Sequence, residues 1–136
     1  MKVFLGGTCG HESKKPWRPY ICSILKCEYF DPELKHGEWT EQRRLLELDM
    51  RAGADYVLYV LTSDMDGVYS IAECIDDSNK RPQTTLLCIL YDGFSPDMAR
   101  SLRAMAALAG ENGARVFPSL DEAAEFLNAA NGGRLK

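Results

Sequence analysis

The sequence contains no CxxC pair, and its five cysteines (Cys9, Cys22, Cys27, Cys74, Cys88) are odd in number. That pattern argues against a disulfide framework and for reduced thiols, several of them inside apolar runs. Only two histidines occur, His11 and His36. Both stand in polar, loop-like surroundings without metal-ligand spacing, so no metal site is expected. No run approaches the ~20 apolar residues needed to cross a bilayer. The opening Val3-Phe4-Leu5 is too short for a secretory core. These absences lead us to expect a cytoplasmic protein with no membrane partner. Basic residues cluster only as pairs, Lys14-Lys15 and Arg43-Arg44, in a chain of net charge −4. A nucleic-acid polymer is therefore disfavoured as a partner. A small anionic ligand stays compatible, because two or three donors are enough to hold one phosphate. Neither GxGxxG nor a P-loop is present, so no dinucleotide or nucleoside-triphosphate cofactor is expected.

What is present fits one domain. At 136 residues, 46% hydrophobic and 26% charged, the chain is long enough to bury about two-thirds of its unfolded surface without staples. Residues 1–136 carry no internal repeat and no low-complexity tract. Short apolar runs alternate with helical patterns. Strands are expected at Val3–Leu5, Glu28–Phe30, Asp55–Thr62, Thr85–Leu90 and Ala114–Phe117. Helices are expected over Tyr20–Leu25, Thr40–Ala52, Ile71–Ser78, Ser95–Gly110 and from Ser119 to near Gly132. Asp55–Thr62 is apolar on both faces, which marks a central strand covered by helices on each side. Five such units imply an α/β, flavodoxin-like three-layer domain, with a parallel sheet in the order 2-1-3-4-5.

In that topology ligands bind beyond the carboxyl ends of the strands, where the strand order reverses. The reversal falls between the first and third strands, so Gly6, Gly7 and Thr8 should face the segment from Thr62 to Glu73. Two glycines after a strand allow close approach of a ligand, or make a plain tight turn. Asp64, Asp66 and Glu73 place three carboxylates at the mouth of the expected crevice, with Gly67, Tyr69 and Ser70 among them. Such a set suits a nucleophile and an acid/base partner at an anomeric carbon. A competing explanation exists for Glu73: Ser70-Ile-Ala-Glu73 has the pattern of a capping box, in which the glutamate only reaches back to the Ser70 N–H. Near a helix N-terminus Glu73 should stay ionised, which suits a nucleophile and leaves the acid/base role to Asp64 or Asp66. Trp17, Arg18 and Trp39 read either as core-lining residues under loops or as groups that stack on a base and contact a phosphate. Glu47 and Asp49 lie on the helix before the central strand, where a solvated face is the default reading.

Taken together, Gly6-Gly7-Thr8, Trp17-Arg18, Tyr29-Phe30-Asp31-Pro32, Trp39, Ala54–Val60 and Gly67–Glu73 resemble the nucleoside 2-deoxyribosyltransferase-like family, most closely its small members. The resemblance extends over most of residues 2–90. It implies an enzyme, hydrolase or transferase, acting without a cofactor on the N-glycosidic bond of a nucleoside or nucleoside 5′-monophosphate. It also implies a glutamate nucleophile matched by Glu73, substrate contacts from the Gly7-Thr8 region, and a helper carboxylate that is either Glu47 or Asp49. Phe30 and Asp31 join the substrate-binding candidates on this basis. Homo-oligomers are common for the fold. A non-catalytic nucleotide-binding or sensing module on the same scaffold is the alternative. Transferases of the family carry a C-terminal segment that donates polar residues to a neighbouring subunit's site, whereas this chain ends in a strand and a capped, alanine-rich helix.

Overall fold

A computed structural model describes residues 1–9, 16–32 and 40–133. Trp39, both histidines and Lys14-Lys15 lie outside the described residues. The described part alternates strand and helix throughout: β1 (Lys2–Gly7), α1 (Arg18–Ile24), β2 (Glu28–Phe30), α2 (Glu41–Gly53), β3 (Tyr56–Leu61), α3 (Tyr69–Lys80), β4 (Thr85–Ile89), α4 (Pro96–Asn112), β5 (Arg115–Phe117) and α5 (Leu120–Asn131). A single 3₁₀ turn, Pro82–Thr84, leads into β4. All strand pairings are parallel and the order is β2-β1-β3-β4-β5.

Alternation along the strands divides the core into two layers. Val3, Leu5, Leu58, Val60, Leu86 and Cys88 point to the face covered by Trp17 and Ile21 of the α1 region and by Leu120, Ala123, Ala124 and Leu127 of α5. Phe4, Val57, Tyr59, Leu61, Leu87 and Ile89 point to the other face, covered by Cys74 of α3 and Leu102, Ala106 and Ala109 of α4. Both layers are dry and continuous, so the fold stands on apolar burial. Cys74 and Cys88 belong to these layers, and burial pushes both thiols up to about 12, which removes them from nucleophilic chemistry.

Helix α2 is the exception. It is amphipathic, yet none of its residues is buried, and Leu45 remains 52% exposed. Only Met50 and the following Ala54 lean on the second apolar layer.

Element boundaries differ from the sequence expectation at informative places. Gly6 and Gly7 are strand residues, paired with Tyr59 and Val60, so β1 runs on to Gly7 where it was expected to stop at Leu5. Helix α3 starts two residues early, at Tyr69, with Val68 in the capping position and no side-chain cap bond. Helix α4 passes Gly110 and stops at Gly113. Ser95 and Ser119 do cap their helices: their hydroxyls accept from the Met98 and Glu122 backbone N–H groups at 3.1 and 3.2 Å. Ser119→Ala should therefore cost about 1 kcal/mol of stability, measured as a lower midpoint in urea unfolding.

Candidate functional site

The carboxyl ends of β1 and β3 are tied together. The Thr8 N–H donates to the Val60 carbonyl at 2.8 Å, and the Thr8 hydroxyl accepts from the Thr62 N–H at 2.9 Å. Beyond this tie a crevice of about 200 Å³ opens. One wall is Gly7, Thr8 and Cys9; the floor and far side are Leu61, Met65, Asp66 and Gly67; the start of α3 contributes Tyr69 and Ser70. The crevice therefore forms where the strand order reverses, between the glycine-rich end of β1 and the turn into α3.

The two glycines have different physical reasons. Gly7 has φ +110°, and a Cβ there would lie 2.0 Å from the Val60 carbonyl oxygen, so no side chain fits. Gly6 faces the opposite way, under the ring of Tyr59, which would stand 3.0 Å from a Cβ. Gly6 makes room for Tyr59 and is not part of the crevice lining, whereas Gly7 is.

Glu73 lies one helical turn beyond Ser70 and four residues after Tyr69, on the same face of α3 but not among the crevice-lining residues. Its carboxylate does not close a capping box. Val68 occupies the cap position, and Glu73 Oε2 instead accepts from Arg51 Nη1 of α2 at 2.6 Å. The expectation that a helix terminus keeps Glu73 ionised is corrected in the same way. Burial pushes its carboxyl above the usual range, Arg51 pulls it down, and the charges of Asp77 and Glu47 push it up again. The net direction is upward because burial outweighs Arg51, and Glu73 sits past the first turn, where the free N–H groups that would favour its charge end.

Arg51 is surrounded by acceptors. Burial lowers its pKa, but the Tyr59 hydroxyl, Glu73 and Asp77 outweigh that, and the guanidinium is held more firmly charged than usual. Its Nη1 also approaches the Tyr59 hydroxyl at 3.4 Å. That hydroxyl donates to Asp77 Oδ2 at 2.6 Å, and Arg81 Nη2 donates to Asp77 Oδ1 at 2.5 Å. Burial, then Asp77, drive the Tyr59 phenol far up, so it stays protonated.

The remaining sequence candidates divide clearly. Trp17 is buried in the first apolar layer with its Nε1 donating to the Thr8 carbonyl at 2.9 Å, the core-lining arrangement. Arg18 is 2% exposed. Its guanidinium is committed to the Leu5 carbonyl at 2.8 Å and Asp31 at 2.7 Å, with longer contacts to the Gly7 and Thr8 carbonyls and to Cys9 Sγ. It clamps the end of β1, and its Nε finds no partner among the described residues. Phe30 stacks on Phe4 at 5.6 Å between ring centroids. Asp64 sits in the turn after β3, its N–H donating to the Thr62 hydroxyl at 3.3 Å. Asp66, exposed, is the carboxylate of the crevice lining.

Of the two helper candidates, Asp49 is exposed, while Glu47 is half-buried and lies within electrostatic reach of Glu73. Burial raises the Glu47 carboxyl, and Arg43 and Arg18 act against that. The residues that sequence reasoning missed are Arg51, Tyr59 and Asp77. A signal was available for the first: Arg43, Glu47 and Arg51 recur every four residues and so share one face of α2.

No helix of the described residues is long and apolar enough to cross a membrane, and they contain no cluster of three or more metal-ligating side chains. A sequence profile of the family described as nucleoside 2-deoxyribosyltransferase like matches residues 1–90, which run from β1 to the end of β4. No curated protein matches the chain significantly.

Proposed function

Because the chain belongs to the nucleoside 2-deoxyribosyltransferase-like family, we propose that it cleaves or transfers at the N-glycosidic bond of a (deoxy)nucleoside or nucleoside 5′-monophosphate. One observation carries this reading. Asp66 lines the crevice beside Gly7 and Thr8 in the turn before α3, and Glu73 follows the lining residues Tyr69 and Ser70 by about one turn of that helix.

In the reaction, a Glu73 carboxylate oxygen bonds to the anomeric carbon as the bond from that carbon to the base nitrogen breaks. Asp66 delivers a proton to the departing base. Water or a second base then attacks the anomeric carbon, Asp66 takes up the proton released, and the Glu73 carboxylate is freed. The steps balance without a cofactor. The crevice is smaller than the ~300–1,000 Å³ of common ligand sites, which suits one ring of the substrate, the sugar. Thr8, Gly67, Tyr69 and Ser70, which line the crevice, would contact it, and Glu47, a like charge within electrostatic reach of Glu73, would be the helper carboxylate.

The test is release of free base from a panel of deoxynucleosides and their 5′-monophosphates. Glu73→Gln should lower that release at least ~100-fold, the scale of losing a reacting carboxylate. The nucleophile must be ionised and burial raises its pKa. The acid limb of kcat/KM should therefore fall above the ~4.3 of an ordinary glutamate, with activity lost as the pH drops through it. Undiminished release by Glu73→Gln would remove the assigned role.

A second reading, a non-catalytic nucleotide-binding module, draws on the ion pair that ties Glu73 to Arg51 outside the crevice lining. Calorimetry would favour it if nucleotide bound tightly with no base released.

A further inference from the structure

We infer that Arg51 is the positioning residue of the site: braced by Tyr59 against the sheet, it fixes the Glu73 carboxylate one turn along α3 from the crevice lining. The inference rests on the nucleophile reading of Glu73, but its geometry stands separately. The Arg51–Glu73 bond joins two helices 22 positions apart in sequence, with side chains only 11% and 21% exposed. It is therefore unlike the exposed Arg44–Glu41 and Lys80–Asp76 pairs, which link neighbours on one helix.

The direction of each bond follows from proton counting. A phenol has one proton, and Tyr59 spends it on Asp77. What its oxygen offers Arg51 is a lone pair, so Tyr59 orients the guanidinium and has no proton left for Glu73. Asp77 is held on its other oxygen by Arg81, which fixes Tyr59 in turn. Two guanidiniums, Arg51 and Arg81, thus stand among the carboxylates of Glu73, Asp77 and the nearby Glu47. Among these groups, the Arg51 guanidinium is what favours the charged form of Glu73, against burial, Asp77 on its own helix and Glu47 on α2, which push its carboxyl up. A carboxylate held by a charged N–H donor that is itself braced is also poorer in alternative rotamers, which is what attack at one carbon requires.

The experiment compares wild type, Arg51→Gln and Arg51→Lys by two readouts. The first is the titration of the Glu73 carboxyl by carbon-13 NMR, assigned from the signal missing in Glu73→Gln. The second is the pH profile of base release. In Arg51→Gln the Glu73 midpoint should rise by about one pH unit or more, equivalent to a tenfold change in the ionisation constant. The acid limb of kcat should rise with it, while KM stays within about twofold. Arg51→Lys keeps the charge without the planar guanidinium that Tyr59 braces and should fall between the two.

A Glu73 midpoint unmoved in folded Arg51→Gln overturns the inference. If that variant does not fold, an unmoved midpoint in Arg51→Lys has the same force. Failure of the nucleophile reading looks different: Glu73→Gln would keep wild-type release, whatever the NMR midpoint does.

Discussion

Gly7→Ala should leave little or no folded protein, the largest single loss we expect from one methyl group. The position is closed twice over. A φ of +110° is a conformation that L side chains rarely adopt, and the added Cβ would stand 2.0 Å from the Val60 carbonyl oxygen and 2.6 Å from its nitrogen. Both atoms belong to the backbone of the central strand, so neither can swing aside as a side-chain tip would. Relief requires β1 to part from β3 at the Gly7–Val60 pairing, with loss of the Thr8–Val60 bond next to it. Strain of this kind belongs to the small class of substitutions that cost more than ~4 kcal/mol, a large part of the ~5–15 kcal/mol that holds a domain folded. Soluble yield and guanidinium unfolding would check it. Gly6→Ala is the internal control. Its obstacle is the Tyr59 ring, at 3.0 Å, which can shift slightly, so a milder loss is expected. Equal behaviour of the two would contradict the geometry.

Asp77→Ala comes second. Asp77 is fully buried and accepts from both Tyr59 and Arg81. Removing it leaves a buried phenol proton without an acceptor and Arg81 without its partner, while Arg51 and Glu73 lose the brace beside them. Arg81 is 36% exposed, so the cost stays below the ~3–5 kcal/mol of breaking a fully buried pair, and most of the loss is the roughly 1–3 kcal/mol of the orphaned buried hydroxyl. Asp77→Asn keeps an acceptor for Tyr59 and should recover part of the loss. Urea unfolding of the two variants and of Tyr59→Phe separates the contributions. A loss within ~0.5 kcal/mol for Asp77→Ala would mean that the cluster relaxes freely.

Much of the architecture could be read from local pattern because it rests on apolar burial. The doubly apolar Tyr56–Leu61 strand, the alternation of strand and helix and the serine caps all speak through residue type, and they fix the sheet order and the location of the crevice. The site was less legible, because its electrostatics join residues distant in sequence. Ser70-Ile-Ala-Glu73 satisfies the local capping pattern, but Val68 begins the helix and a guanidinium 22 positions earlier takes the glutamate. Trp17-Arg18 carried the right chemistry for a ligand, yet a tryptophan and an arginine at the end of an inner strand also serve as roof and clamp for it. Tyr59 looked like one more core aromatic; only the fold sets its hydroxyl against Asp77, 18 positions on.

The exposure of α2 gives the molecule an uneven hold on its own parts. Every other helix is anchored by side chains sealed in one of the two apolar layers, whereas α2 has none sealed and relies on Arg51 for its tie to α3. An ion pair is screened by added salt, whereas apolar burial is not weakened by screening. Added salt or protonation of Glu73 should therefore weaken the hold on α2, which otherwise rests on Met50 and Ala54, before it weakens the sheet.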